Sequence, residues 1–241
     1  HRPRRRLPRG RTVRERALAL IDIAHPDDRE RLVEEAREAN ILYRDQAYIT
    51  GSGRLYPEDI HVVRTFHDNL TVRFRAIKPS DVDEMRRLFY RFSDQAVYYR
   101  YFSRIKTMPH MKMQAYVNVD YEKTMSVIGT IEESGMERII AEGRYVRLEG
   151  SGHADTAFVV DEKYQGIGIA SFLFHLLIDI ARKRNVRGLR ADVLTDNQAM
   201  LKVFEKAPFP VQAMVNAGVY ELTLTFPEET DSGEPAGPSP T

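Results

Sequence analysis

The chain has 241 residues, of which 42% are hydrophobic and 29% charged, an ordinary balance for a globular chain and too apolar for wholesale disorder. No run approaches the roughly 18 apolar residues of a membrane span. It contains no Cys, which excludes disulfides, zinc–thiolate sites, iron–sulfur clusters and cysteine nucleophiles, and makes a cytoplasmic location the simplest expectation. The net charge of +1 hides an asymmetry: residues 1–16 carry eight Arg against one Glu, whereas residues 227–241 carry four acids and no base. One short basic cluster without interleaved aromatics disfavours nucleic acid as a partner. A solvated arm, or a stub where a longer chain was cut, is the simpler reading, and the Pro/Gly/Ser-rich C-terminus reads as a disordered tail.

In chain order, residues 13–24 place Ala17, Leu18 and Ile21 at helical spacing. Pro26, with Asp27 and Asp28 in the first turn, opens a second helix to about Asn40, with Leu32, Val33, Ala36 and Ala39 on one side. Residues 41–69 show no lasting period. From Leu70 the pattern alternates through Val72, Phe74 and Ala76, a half-buried strand. Helices follow from Pro79 and Asp81 to Phe92, from a Ser93 cap to about Phe102, and from Pro109 onward. Two strands are joined at Ser134-Gly135, and a third, HADTAFVVD, runs into a glycine-containing turn and a long helix over 166–184. A strand at 188–194, a helix at 197–206 and two strands around Asn216-Ala217-Gly218 complete the order. Such a mixed α/β succession predicts one sheet covered by helices.

The sharpest local feature is FVVDEKYQGIGIASFLFHLL, residues 158–177. A buried-looking strand ends, Gly166 and Gly168 follow, and an apolar helix begins, so successive backbone N–H groups can converge at a helix N-terminus on a phosphate or pyrophosphate. Taken alone, such a G-x-G also reads as a tight turn. The Gly-Lys-Ser/Thr of a Walker loop and the full G-x-G-x-x-G of a dinucleotide fold are both missing.

Gln165-Gly166-Ile167-Gly168-Ile169-Ala170 resembles the Gln/Arg-x-x-Gly-x-Gly/Ala signature of the GNAT acetyltransferase superfamily. RAIKPSD at 75–81 is similar to that family's opening strand and helix. Asn197 followed by Met200, Leu201, Phe204 and Phe209 resembles the stretch after its fifth strand. Within the superfamily, RAIKPSD, SDQAVYYRYFS and ADTAFVV most resemble bacterial protein lysine acetyltransferases that modify acyl-CoA synthetases. The resemblance implies a GNAT-type fold over residues 70–226, with a central, mostly antiparallel sheet of about six to seven strands flanked by helices. It implies an N-acetyltransferase with acetyl-CoA as cosubstrate and no metal, in which an amine attacks the thioester directly. Carried over residue by residue, it gives backbone groups of Phe158, Val159 and Val160 to the pantetheine arm, and Gln165, Gly166, Ile167, Gly168, Ile169 and Ala170 to the diphosphate. Asn197 and Phe204 complete the cofactor-binding set, Asn197 reading equally as a plain helix cap.

Asp155 stands in ADTAFVV where those relatives carry Glu, and is the implied catalytic base; a solvated strand-end Asp, or His153 as the base, are the alternatives. Phe204 occupies the place of the Tyr that protonates the leaving thiolate in many members, and Phe cannot donate a proton. Tyr98, Tyr99 and Tyr101 read as an acceptor wall or as ordinary packing, and Met108, Met111 and Met113 as adaptable packing. Arg182, Lys183, Arg184 and Arg187 suit the end of the long helix, with a CoA 3′-phosphate as an alternative partner.

RERALALIDIAHPDDRERLVEEAREAN resembles the C-terminal end of bacterial acetyl-CoA hydrolase/transferase proteins, which implies that residues 12–45 close an upstream domain of a longer fusion. The expected division is a basic arm and helical extension at 1–69, the acetyltransferase domain at 70–226 and a disordered acidic tail at 227–241. The expected acceptor is a protein lysine, an acyl-CoA synthetase among the partners. The alternatives are a non-catalytic acetyl-CoA sensor for an attached CoA enzyme and a small-amine acetyltransferase.

Overall fold

The computed structural model describes residues 13–24, 26–42 and 56–227. The basic arm before Val13, His25 and the acidic tail lie outside these residues. Two short helices, α1 (Val13–Ile23) and α2 (Pro26–Glu38), close on each other around Leu18, Ile21, Val33, Ala36 and Leu42. This small core is separate from the main one, and α1 lies against the turn at Pro79–Asp81.

The rest is built on one eight-stranded sheet in the order β1-β2-β3-β4-β5-β6-β8-β7. Its strands are β1 (His61–Thr65), β2 (Thr71–Ala76), β3 (Thr124–Glu133), β4 (Met136–Arg147), β5 (His153–Val160), β6 (Gly188–Leu194), β7 (Val211–Asn216) and β8 (Val219–Thr225). β1 was not expected: within 61–65 the backbone pairs with β2, but only Val62 is partly buried. An edge strand of this kind is held by its ladder and by Phe66, which meets the rings of Phe74 and Phe172 at 6.1 and 5.9 Å, so it leaves no alternation to read. The sheet therefore has one strand more than the six to seven expected.

Helices α3 (Val82–Arg91), α4 (Asp94–Tyr101) and α5 (His110–Val117) follow β2, as the cap and Pro signals predict; the Ser93 hydroxyl accepts from Ala96 N at 3.2 Å. RAIKPSD gains a physical account here. Arg75 leaves the end of β2 and grips Asp81 with two hydrogen bonds of 2.8 Å, and also Glu137 at 2.7 Å, so the strand's exit and the helix's start are locked together.

The long helix α6 (Ile169–Lys183) covers the opposite face with α7 (Gln198–Glu205). It buries Leu173, Phe174, Leu177 and Ile178 almost completely. Phe158 of β5 meets Phe174 at 5.3 Å, and Phe174 meets Phe204 of α7 at 4.6 Å. β4 lets α6 approach at Gly143, where a Cβ would sit 2.9 Å from both Leu173 and Phe158. Gly143→Ala is therefore expected to lower the unfolding free energy by about 1–3 kcal/mol in urea titration, the cost of an extra methyl in a closed core.

Candidate functional site

Every strand pair in the sheet is antiparallel except β5 with β6. These two run parallel for only three pairs, ending at Asp155↔Arg190, and then separate. From Thr156 onward, the edge of β5 that faces β6 has no strand beside it. The gap widens into a cleft of about 790 Å³ walled by α4, β5, β6, α7 and the start of α6. Phe158, Val159 and Val160 line it, as do Gln165, Gly166, Gly168, Ile169 and Ala170. Ile167 does not; it packs partly buried on the main core.

The turn between β5 and α6 places a cradle of donors at the cleft. Gly166 and Gly168 have φ of +79° and +94°, a region that costs a side-chain-bearing residue about 1–2 kcal/mol. The first intrahelical acceptor is taken by Phe172 N, which donates to Gly168 O at 3.0 Å. The backbone N–H groups from Gly166 to Ser171 have no protein acceptor among the described residues. These are the orphan donors of a helix N-terminus, beside the cleft and backed by the helix dipole. A diphosphate fits such donors.

The side chain of Gln165 turns back and donates from Nε2 to Val160 O at 2.9 Å, so it braces the turn and satisfies one carbonyl of the open β5 edge. Asp161, 2% exposed, anchors the same turn: it receives Arg91 Nε at 2.7 Å, and its own N–H donates to Ile140 O at 2.7 Å. Glu162 accepts from Ser93 N at 2.9 Å, which ties the N-terminus of α4 to the donor cradle.

Asn197 lines the cleft and caps α7, its Oδ1 accepting from Met200 N at 3.2 Å. Phe204 also lines the cleft, 3% exposed and packed at a tilt against Phe174, so no hydroxyl stands there. Asp155 is not in the cleft wall. It lies at the throat where the strands part, on the sheet face opposite α6, beside Arg190 and Asp192. Desolvation raises its carboxyl above the usual value, Arg190 opposes that, and Asp192 adds to it. His153 is at the closed end of β5, its Nδ1 3.0 Å from Ser151 O.

Among the three tyrosines, only Tyr99 lines the cleft; its hydroxyl reaches across to Asp196 O at 3.5 Å. Met108 and Met113 are buried, whereas Met111 is exposed. Arg182 packs over Phe209 at the far end of α6, about 20 Å along the axis from the donor cradle. The cationic side chains along the cleft are instead Arg100, Lys202 and Lys206, none of which the sequence had singled out. A signal for the first did exist. Glu142 interrupts the apolar run of β4, and a buried acid demands charged partners; Arg100 is one of them.

Residues 80–209, more than half of the chain, match the Acetyltransferase (GNAT) family. The chain belongs to the GNAT acetyltransferase family. It is a GNAT-fold enzyme with acetyl-CoA as cosubstrate. The acetyltransferase Pat of Mycolicibacterium smegmatis is 33% identical over 136 residues, 55% of this chain; the match spans only 39% of that protein's own length. An acetyltransferase of Pseudomonas aeruginosa is 26% identical over 143 residues, 59% of this chain and 77% of that protein. The crystal structure of the GNAT domain of S. lividans PAT superposes with a TM-score of 0.65 at 28% identity, covering 71% of this chain and 100% of that one. Residues 8–36 separately match the acetyl-CoA hydrolase/transferase C-terminal domain. Among the described residues no helix is long and apolar enough to cross a membrane.

Gly168→Ala tests the donor cradle. A methyl there meets no atom within 4 Å but forces the +94° φ on an alanine. Acetyl-CoA affinity by calorimetry is expected to fall by at least about tenfold, while stability falls by only about 1–2 kcal/mol.

Proposed function

We propose that this enzyme transfers the acetyl group of acetyl-CoA to the side-chain amine of a lysine in a folded protein. The observation that carries the reading is the parting of β5 and β6 beside the unpaired N–H groups of Gly166 to Ser171. One feature offers polar edges to an extended amide-bearing arm, the other binds a diphosphate. The family model and the likeness to the PAT domain support the chemistry. A protein acceptor is supported by an exposed apolar side chain at the α4 end of the cleft: Phe102 is 41% exposed, a feature that a small amine would not need.

In this reading Gly166, Ile167, Gly168, Ile169 and Ala170 hold the diphosphate through backbone N–H groups, with Gln165 as their brace. Phe158, Val159 and Val160 guide the pantetheine arm, Asn197 fixes the start of α7, and Phe204 closes the apolar floor. The bound cosubstrate supplies the electrophilic thioester carbon. Asp155 takes the amine proton through a water at the throat, where its raised pKa improves it as a base. The C–N bond forms as the C–S bond breaks, and CoA departs as a thiolate without a tyrosine to protonate it. The division of the chain is proposed alongside: residues 12–45 are the end of a hydrolase/transferase-type unit, whose α1 lies against the turn at Pro79–Asp81. The length of the full gene product checks this.

Titration with acetyl-CoA in a calorimeter is expected to show saturable 1:1 binding, with ATP much weaker; no binding by folded protein would sink the reading. Asp155→Asn is expected to keep that affinity and to lose about 10²–10⁴ in turnover on a protein lysine. A fall in affinity instead of turnover would make Asp155 a structural residue.

The pH profile gives an independent check. Asp155 must be ionised to act, so kcat/KM falls as pH drops through its raised pKa. Arg190→Gln removes the opposing cation and is expected to move that acidic limb to higher pH; Asp192→Asn removes the like charge and moves it lower.

A further inference from the structure

The sheet face opposite α6 holds a buried charge cluster whose charges do not balance. At its centre is Glu142 of β4, 0% exposed. Its Oε1 accepts from Ser126 Oγ and Arg144 Nε, both at 2.7 Å, and its Oε2 accepts from Tyr116 OH at 2.8 Å. Arg144 is satisfied: it also donates to Tyr116 O at 2.9 Å and lies 3.3 Å over the Tyr116 ring.

Arg100 is the second cation and is poorly served. Its Nη2 donates to Tyr116 OH at 2.7 Å and stands 3.8 Å from Glu142, a carboxylate already engaged by Arg144. Its Nε is buried without a hydrogen-bond partner among the described residues, and its side chain is only 12% exposed. Burial raises the Tyr116 hydroxyl beyond its ordinary value, so that group stays neutral and supplies no missing negative charge. Among the described residues, Glu142 is the carboxylate that Arg100 pairs with. Two guanidinium groups thus share one acid, and the less satisfied of the two forms part of the cleft wall, with Tyr99 and Ala157. Its Nε is sealed away, so an anion in the cleft would meet the accessible part of the Arg100 side chain and add the negative charge that a shared carboxylate leaves short.

We propose that Arg100 is a carboxylate receptor in the transfer cleft, completed by an acidic group of a reactant. The proposal rests on the reading of the cleft as an acetyltransferase site and deepens its specificity. The fork of a guanidinium suits a planar carboxylate better than it suits any group of an acetyl moiety. The carboxylate has two sources: the far end of a dicarboxylic acyl thioester, or an acidic residue beside the acceptor lysine. Glu142 and Tyr116 position Arg100 for either.

The test has one arm for each source. In the first, the intact enzyme is titrated with acetyl-CoA, butyryl-CoA and succinyl-CoA, so that chain length is separated from charge. In the second, acetyl transfer from acetyl-CoA is measured on lysine peptides flanked by Asp or Glu and on matched peptides flanked by Asn or Gln. A preference of about tenfold or more for the carboxylate-bearing reactant in either arm, reduced to near unity by Arg100→Met and partly kept by Arg100→Lys, is the expected result; charge-assisted pairs of this kind have that strength. A wild-type preference below about threefold in both arms overturns the proposal without reference to any variant. A preference that survives Arg100→Met in protein of native unfolding stability also overturns it. Failure of all three thioesters to bind would instead bring down the acetyltransferase reading of the cleft, which separates the two outcomes.

Discussion

The parting of β5 from β6 is the constraint on which the rest of the molecule depends. A parallel pair that stops after Asp155↔Arg190 leaves main-chain donors and acceptors facing a gap, and unpaired backbone groups are tolerated only where something can satisfy them. The fold keeps the gap open by giving each strand another neighbour. β5 is fully paired to β4 on one side, and β6 to β8 on the other. Beneath the gap, Phe158, Phe174 and Phe204 fill the space with rings rather than with a strand. The cleft is thus a deliberate interruption of a sheet that is otherwise continuous.

The two faces of the sheet carry different physics. Under α6 the contacts are apolar and close, down to a glycine at 143 that admits Leu173 and Phe158. On the other face, ionic ties set the positions of the helices. Arg75 with Asp81, Arg91 with Asp161 and Ser93 N with Glu162 fix the start of α3, its end and the start of α4 in turn. The last two converge on the turn that carries the donor cradle. The wall of the cleft formed by α4 is therefore registered against the cradle by hydrogen bonds that run through Asp161 and Glu162. Placement of the acyl donor and shape of the acceptor side are geometrically linked.

Much of this was legible in the residues. Gly166 and Gly168 between an apolar strand and an apolar helix announce a turn with converging N–H groups, because left-handed backbone at a helix start needs glycine. Ser93, Pro79 and Pro109 mark helix starts for equally local reasons. Strand β1 was not legible, since an exposed edge is defined by its partner and not by its own alternation. Nor was the choice among the three tyrosines of α4: their spacing is that of one helix, and only the packing of α4 against β5 turns Tyr99 to the cleft while Tyr101 meets Phe89 at 6.0 Å. Asp155 was found by resemblance, but its neighbours Arg190 and Asp192 lie on a strand 35 and 37 residues later and come beside it only through the short parallel pairing.

By itself the sequence determined every strand but β1, the main helices, the donor turn and the absence of a hydroxyl at Phe204, because each follows from the chemistry of neighbouring residues. Tertiary structure decided where the sheet opens, which cations face the cleft and which acids they meet. Those outcomes depend on contacts between residues far apart in the chain. Arg100 shows the difference most plainly. Within its helix it is one more basic residue; beside Glu142, Arg144 and Tyr116 it becomes a buried cation that shares one acid with another guanidinium.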